Sequence, residues 1–124
     1  MERILIVDDD ITFGLMLKTW LSKKGFGTQT AASAAAARTA LAEGGFSLVL
    51  SDMRLPDEDG IALLQWMSGQ RIEVPVIVMT SYAEIQNAVR CMKLGARDYV
   101  AVQGIVMLMA VIVAVTNFVV DVVA

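Results

Sequence analysis

Apolar positions along this chain fall into two alternating rhythms. Ile4 to Val7 is a continuous apolar run that stops at Asp8, Asp9 and Asp10, which suits a short strand buried on both faces. Phe13, Met16, Leu17, Trp20 and Leu21 then recur at the spacing of one helical face, with Asp10 as a cap and Gly25 as a stop. Phe26 to Thr30 alternates as a second strand, and the alanine-rich stretch after Ser33 predicts a helix closed by Gly44 and Gly45. Ser47 to Ser51 predicts a third strand, ended by Asp52 and the loop MRLPDEDG, whose Pro56 and Gly60 are turn residues. A helix from about Gly60 to Gly69 leads to Val74 to Met79, a β-branched fourth strand that ends on Thr80 and Ser81. Ile85, Ala88, Val89 and Met92 mark one face of a further helix before Gly95, and Asp98 to Ala101 reads as the last strand.

Strands alternating with helices of this length predict an α/β fold, because parallel neighbours need a connection that returns over the sheet. In such open sheets ligands sit beyond the carboxyl ends of the strands. Asp8 and Asp9 end the first strand, Asp52 the third and Thr80 the fourth, so residues far apart in sequence are expected on one rim.

Composition narrows what that rim can do. A length of 124 residues suits one domain. The net charge is −3 with no clustered Lys or Arg, which excludes the electrostatic footprint of a nucleic-acid binder. Cys91 has no second cysteine to pair with, and the start MERILIV lacks the apolar region and cleavage site of a secretory signal, so the cytoplasm is the expected compartment. Histidine is absent, which excludes phosphorylation on the chain's own imidazole, a Ser-His-Asp triad and a His-containing zinc site. Carboxylates are left to carry the chemistry. Two of them about 4 Å apart repel by roughly 4 kcal/mol at an effective dielectric of about 20, so a cluster needs a proton or a cation. Magnesium, a hard ion that takes oxygen ligands, suits this inventory better than zinc or calcium. Asp52 is then a plausible nucleophile toward an activated phosphorus, with Thr80 donating a hydrogen bond to the phosphoryl oxygens. Asp10 is assigned mainly to capping, and Asp57, Glu58 and Asp59 mainly to a solvated loop.

ILIVDDD, LVLSDMRLPDEDG, PVIVMTSYAEI and LGARDYV, in that order and at those separations, resemble the successive signatures of response-regulator receiver domains of two-component signalling. The resemblance covers about residues 3–101, and SYAEIQNAVRCMKLGARDYV is most similar to receivers of nitrogen-regulation-type transcriptional activators. It implies a flavodoxin-like (βα)5 open parallel sheet with strand order 2-1-3-4-5. It implies Asp52 as the acceptor of a phosphoryl group from a histidine kinase. Around Mg2+ it places Asp8, Asp9, Asp52 and the backbone carbonyl of Arg54. Thr80 would bind the phosphoryl group, and Tyr99 would change rotamer and remodel the face of the fourth helix and fifth strand. Arg54 and Tyr82 match positions that influence how long the acyl phosphate survives. Self-association as a homodimer would use the fourth helix, fifth strand and C-terminal face.

After the fifth strand the resemblance breaks. The family has a lysine followed by proline where this chain has Val102 and Gln103, so the cation that ordinarily pairs with the acceptor and its phosphoryl group is missing. Phosphorylation of Asp52 with a weakened conformational response is the expectation. Between Asp98 and Asp121 no residue is charged, and Ile105 to Val115 is unbroken apolar. The expected organisation is therefore a receiver core over residues 1–101 and an atypical apolar segment over 102–124 in the place of the last helix. A buried or self-associating helix is the leading reading of that segment. Membrane insertion is a weaker one, since the run falls short of the roughly 20 residues a span needs. A tail foreign to the domain, or one that forms strands and aggregates, is the third. Two other functions compete with the signalling switch. One is a degenerate receiver that acts as a phosphorylation-independent interaction module. The other is a metal-dependent phosphatase, disfavoured because Arg54 stands where a second aspartate would be needed.

Overall fold

Hydrophobic strands buried on both faces need a helical layer on each side, and the chain supplies both. The computed structural model describes residues 2–80, 85–96 and 98–101. Its elements are β1 (Arg3–Val7), α1 (Ile11–Lys23), β2 (Gly27–Ala31), α2 (Ala34–Glu43), β3 (Leu48–Asp52), α3 (Gly60–Gly69), β4 (Val76–Thr80), α4 (Ile85–Lys93) and β5 (Asp98–Ala101). All neighbouring strands are parallel, in the order β2-β1-β3-β4-β5. The α/β class and the flavodoxin-like order are as expected.

Side-chain alternation along each strand divides the core into two. Ile4 and Ile6 of β1, Leu48 and Leu50 of β3 and Ile77 and Met79 of β4 pack with Leu17 and Leu21 of α1. Leu5, Val7, Val49, Val76 and Val78 point the other way, onto Ala34, Ala37 and Leu41 of α2 and Leu63, Leu64 and Met67 of α3. α1 is closed at its start by Asp10, whose Oδ1 accepts from the Phe13 amide at 3.0 Å. Past its end, Gly25 takes φ +94°, a conformation that a side chain resists. Ser33 caps α2 through the Ala36 amide at 3.1 Å.

Four strands sit slightly off their predicted positions: β1 gains Arg3 at its start, and the other three differ as follows. β2 begins at Gly27 because the Phe26 amide donates to Leu21 O at 3.1 Å and so closes α1 instead of joining the sheet. β3 runs on through Asp52, whose backbone pairs with Met79. β4 starts after Pro75, which has no N–H to give a ladder, although its carbonyl accepts from the Val49 amide at 2.9 Å. α4 forms where the periodicity predicts it, yet Val89 and Met92 of its apolar stripe remain 42% and 36% exposed. Residues 102–124, with Val102, Gln103 and the apolar run, lie outside the described residues, as does Tyr82. Among the described residues, no helix is long and apolar enough to cross a membrane.

Candidate metal centre

Parallel register decides which side chains meet at the rim. Val7 pairs with Ser51, so the next residues, Asp8 and Asp52, leave adjacent strands side by side. Asp52 pairs in turn with Met79, which puts Thr80 one residue further along the same edge. Tyr99 pairs with Val78, two places back from the Thr80–Ala101 pair. The side chains of Thr80 and Tyr99 lie outside the described set; their backbones occupy β4 and β5 as expected.

Asp8 and Asp52 are half-buried, and Asp9 is exposed. One carboxylate oxygen from each of these three lies within 4.8 Å of the other two. The Asp8 amide continues the β1–β2 ladder by donating to Ala31 O at 3.0 Å, and Asp8 Oδ1 accepts from the Asp10 amide at 2.9 Å. Asp52 Oδ1 receives a long bond of 3.4 Å from the Arg54 amide.

Neither half-buried acid is comfortable as an anion. Asp8 is pushed up to about 6, chiefly because burial disfavours its charged form and further by the charges of Asp52, Asp10 and Asp9; the Asp10 amide opposes the rise. Asp52 is also raised, first by burial and then by the charge of Asp9, against the pull of the Arg54 amide. Charge is therefore concentrated where the fold cannot relieve it with its own amides. A donor set made only of carboxylate oxygens, drawn together and destabilised as anions, fits a hard divalent cation. Receiver domains generally bind Mg2+ at such an aspartate cluster, and Asp8, Asp9 and Asp52 form one here.

The loop after Asp52 departs from expectation. Asp57 and Asp59 are solvent-exposed as expected and Glu58 is half-buried, yet each of the three is also anchored to a different partner. Asp57 accepts from the amides of Ala34 and Ala35, each at 2.9 Å, which hold its carboxyl below the usual range. Glu58 forms an ion pair with Arg38 of α2. Asp59 caps α3 through the Ala62 amide at 2.8 Å. The last was legible, since an aspartate one residue before an apolar helical run is a local capping signal. The other two reach 23 and 20 residues back along the chain, where no local signal exists. Gly60 opens α3, as the predicted helix from about Gly60 to Gly69 has it, and packs directly on the strand end. A Cβ there would stand 2.8 Å from the Asp52 carbonyl oxygen.

A family model described as response regulator receiver domain matches residues 4–103. The chain is similar to the regulatory protein AtoC of Escherichia coli strain K12, 41% identical over 99 residues that cover 80% of this chain and 22% of AtoC. It is similar also to the transcriptional regulatory protein FixJ of Bradyrhizobium diazoefficiens, 38% identical over 97 residues, 78% of this chain and 47% of FixJ. Among solved structures, the receiver domain of NtrX from Brucella abortus superposes with a TM-score of 0.80 at 29% identity, covering 92% of this chain and 95% of that one. The chain thus spans less than half the length of these two curated relatives.

Proposed function

This chain belongs to the response regulator receiver domain family, and from that premise we propose that Asp52 accepts a phosphoryl group from a histidine kinase while Asp8, Asp9, Asp52 and the Arg54 backbone carbonyl hold Mg2+. The observation that carries the reading is the convergence of three carboxylates from two strand ends within 4.8 Å. The likeness to nitrogen-regulation-type receivers, AtoC and NtrX among them, supports a place in a transcriptional regulator. A cytoplasmic compartment is part of the same proposal.

In the transfer, an Asp52 carboxylate oxygen attacks phosphorus, the bond from phosphorus to the donor breaks, and the donor leaves with that electron pair. An acyl phosphate on Asp52 results. When bound, Mg2+ supplies positive charge and oxygen coordination against the carboxylates and phosphoryl oxygens. The chain contributes the rest. Half-burial keeps Asp52 poorly solvated and reactive, the Arg54 amide orients its Oδ1, and the Thr80 hydroxyl donates to a phosphoryl oxygen. Tyr99, on the neighbouring strand, then reports the new bond to the α4–β5 face, where exposed Val89 and Met92 offer apolar surface to a second copy.

Val102 replaces the family's lysine, so charge compensation rests on the metal. Incubation with acetyl phosphate and MgCl2 is expected to add the mass of one phosphoryl group, mapped to Asp52, and EDTA to prevent it completely. Intact-mass spectrometry makes the measurement, and an unchanged mass with magnesium present sinks the phosphoacceptor reading in favour of a phosphorylation-independent module.

Metal affinity should also follow pH. An acid raised in the folded state binds its proton more tightly there, so in metal-free protein the contribution of Asp8 to stability is present below 3.8 and lost as pH rises through about 6. Magnesium must displace that proton. Its apparent affinity is expected to fall about tenfold per pH unit below 6 and to level off above it. Calorimetric titration from pH 5 to about 8 checks this, and Asp8→Asn should lose both the slope and most of the binding.

A further inference from the structure

The loop that carries Asp52 into α3 is fastened at its far end to a different helix. Asp57 lays its two carboxylate oxygens on the first two amides of α2, Ala34 and Ala35, at 2.9 Å each. These belong to the donors that a helix start leaves without partners of its own. Ser33 caps α2 locally through the Ala36 amide alone, at 3.1 Å, so Asp57 takes up two amides that the local cap leaves open. Glu58 reinforces it by pairing with Arg38, whose guanidinium lies 5.6 Å from the centre of the Trp66 ring in α3.

Within the loop the backbone forms a closed circuit. The Leu55 amide donates to Glu58 O at 3.2 Å, Arg54 and Asp59 bridge, and the Gly60 amide donates to Met53 O at 2.7 Å. Arg54 therefore sits in a small ring whose outer corner is held by Asp57. The strand order sets the direction of the tie. β1, which is followed directly by Asp8 and Asp9, lies between β2 and β3, so a link from the β3 loop to the helix that follows β2 brackets the acidic cluster.

We propose that Asp57 is a positioning residue for the metal centre: by docking the 53–59 loop on α2, it sets the Arg54 backbone relative to Asp52. The proposal rests on the reading in which the Arg54 carbonyl is a magnesium ligand. Its amide partners hold the Asp57 carboxyl below its usual range, so the clamp is charged at the pH of the test.

The test is calorimetric titration of MgCl2 into the whole chain and its variants at pH 8. Asp57→Ala should weaken binding about tenfold, as loss of partners that orient a ligand commonly does. Asp57→Asn, which retains one acceptor, should fall between. Ser33→Ala removes a cap from the same helix and should lower the thermal midpoint while leaving magnesium affinity unchanged. Loss of a carboxylate also weakens cation binding through its charge, so the titrations are repeated in 1 M KCl, where screening acts within about 3 Å. A deficit that persists there supports positioning. The proposal is overturned if Asp57→Ala binds like the parent, if Ser33→Ala loosens binding equally, or if 1 M KCl erases the difference. Should Asp57→Ala be unfolded by circular dichroism, Asp57→Asn decides by the same criteria. A parent chain that binds no magnesium refutes the underlying site as well, whereas binding that is indifferent to Asp57 refutes only the clamp.

Discussion

Replacing Asp52 with asparagine is expected to abolish phosphoryl uptake from acetyl phosphate and, in the same protein, to raise the thermal midpoint measured without metal. Loss of uptake follows because a carboxamide presents no anionic oxygen to attack phosphorus, and Asp8 and Asp9 leave a different strand. The gain in stability follows from the electrostatics. Asp52 is raised chiefly by burial and next by Asp9, so at pH 8 the metal-free fold holds an anion that it would rather see protonated. Asparagine has nearly the same shape and keeps an acceptor for the Arg54 amide, so packing is unchanged while the charge is gone. Solvent screens a half-exposed group, so the relief shows as a modest rise of the midpoint. Magnesium reverses the ranking. At a hundred times its Kd the ion stabilises the parent by about 2.7 kcal/mol, and the variant, with a ligand charge removed, gains less. Scanning calorimetry of both proteins, with MgCl2 and with EDTA, should show the two curves exchange order. If asparagine lowers the metal-free midpoint, the cluster is not under charge strain; if it still takes up a phosphoryl group, another residue is the acceptor.

How much of this could be read from the chain divides along a physical line. Continuous apolar runs such as Ile4 to Val7 announce strands covered on both faces, and Asp10 and Ser33 announce helix starts, because strand burial and capping are decided within a few residues. Asp8, Asp9 and Asp52 were legible for a related reason, since each ends an apolar run and parallel sheets gather such ends on one rim. The exact strand starts were not, because Phe26 and Pro75 answer to hydrogen bonds already spent or missing rather than to hydrophobicity. The anchoring of Asp57 and Glu58 was missed for a deeper reason. Their partners, Ala34, Ala35 and Arg38, come near only after β1 has been placed between β2 and β3. A charged loop and a charged clamp are spelled alike. Val89 and Met92 show the converse, a helical stripe that periodicity finds correctly but that the described fold leaves partly open.

One glycine-to-alanine change should therefore damage both fold and site, while the same change nine residues later improves the fold. Gly60 opens α3, and a Cβ there would lie 2.8 Å from the Asp52 carbonyl oxygen and 3.3 Å from Met53 Cα. Both neighbours are backbone and cannot swing aside as a side chain would. To make room, α3 must retreat from the end of β3, and the 2.7 Å bond from the Gly60 amide to Met53 O stretches with it. Gly69 closes the same helix with nothing within 4 Å of its would-be Cβ and an ordinary φ, so alanine there gains helix propensity without a clash. Gly60→Ala is expected to cost about 2 kcal/mol, and Gly69→Ala to add roughly 0.5 kcal/mol, in urea unfolding followed by tryptophan fluorescence. The functional consequence separates them further. Because the atom crowded by Gly60→Ala is the carbonyl of the acceptor residue itself, magnesium affinity and the rate of phosphoryl uptake should both fall, and saturating metal should not restore the rate. Gly69→Ala should leave both unchanged. Equal stability for the two variants would mean that α3 moves freely on β3, and then the close approach at Gly60 could not be what holds Asp52 in place.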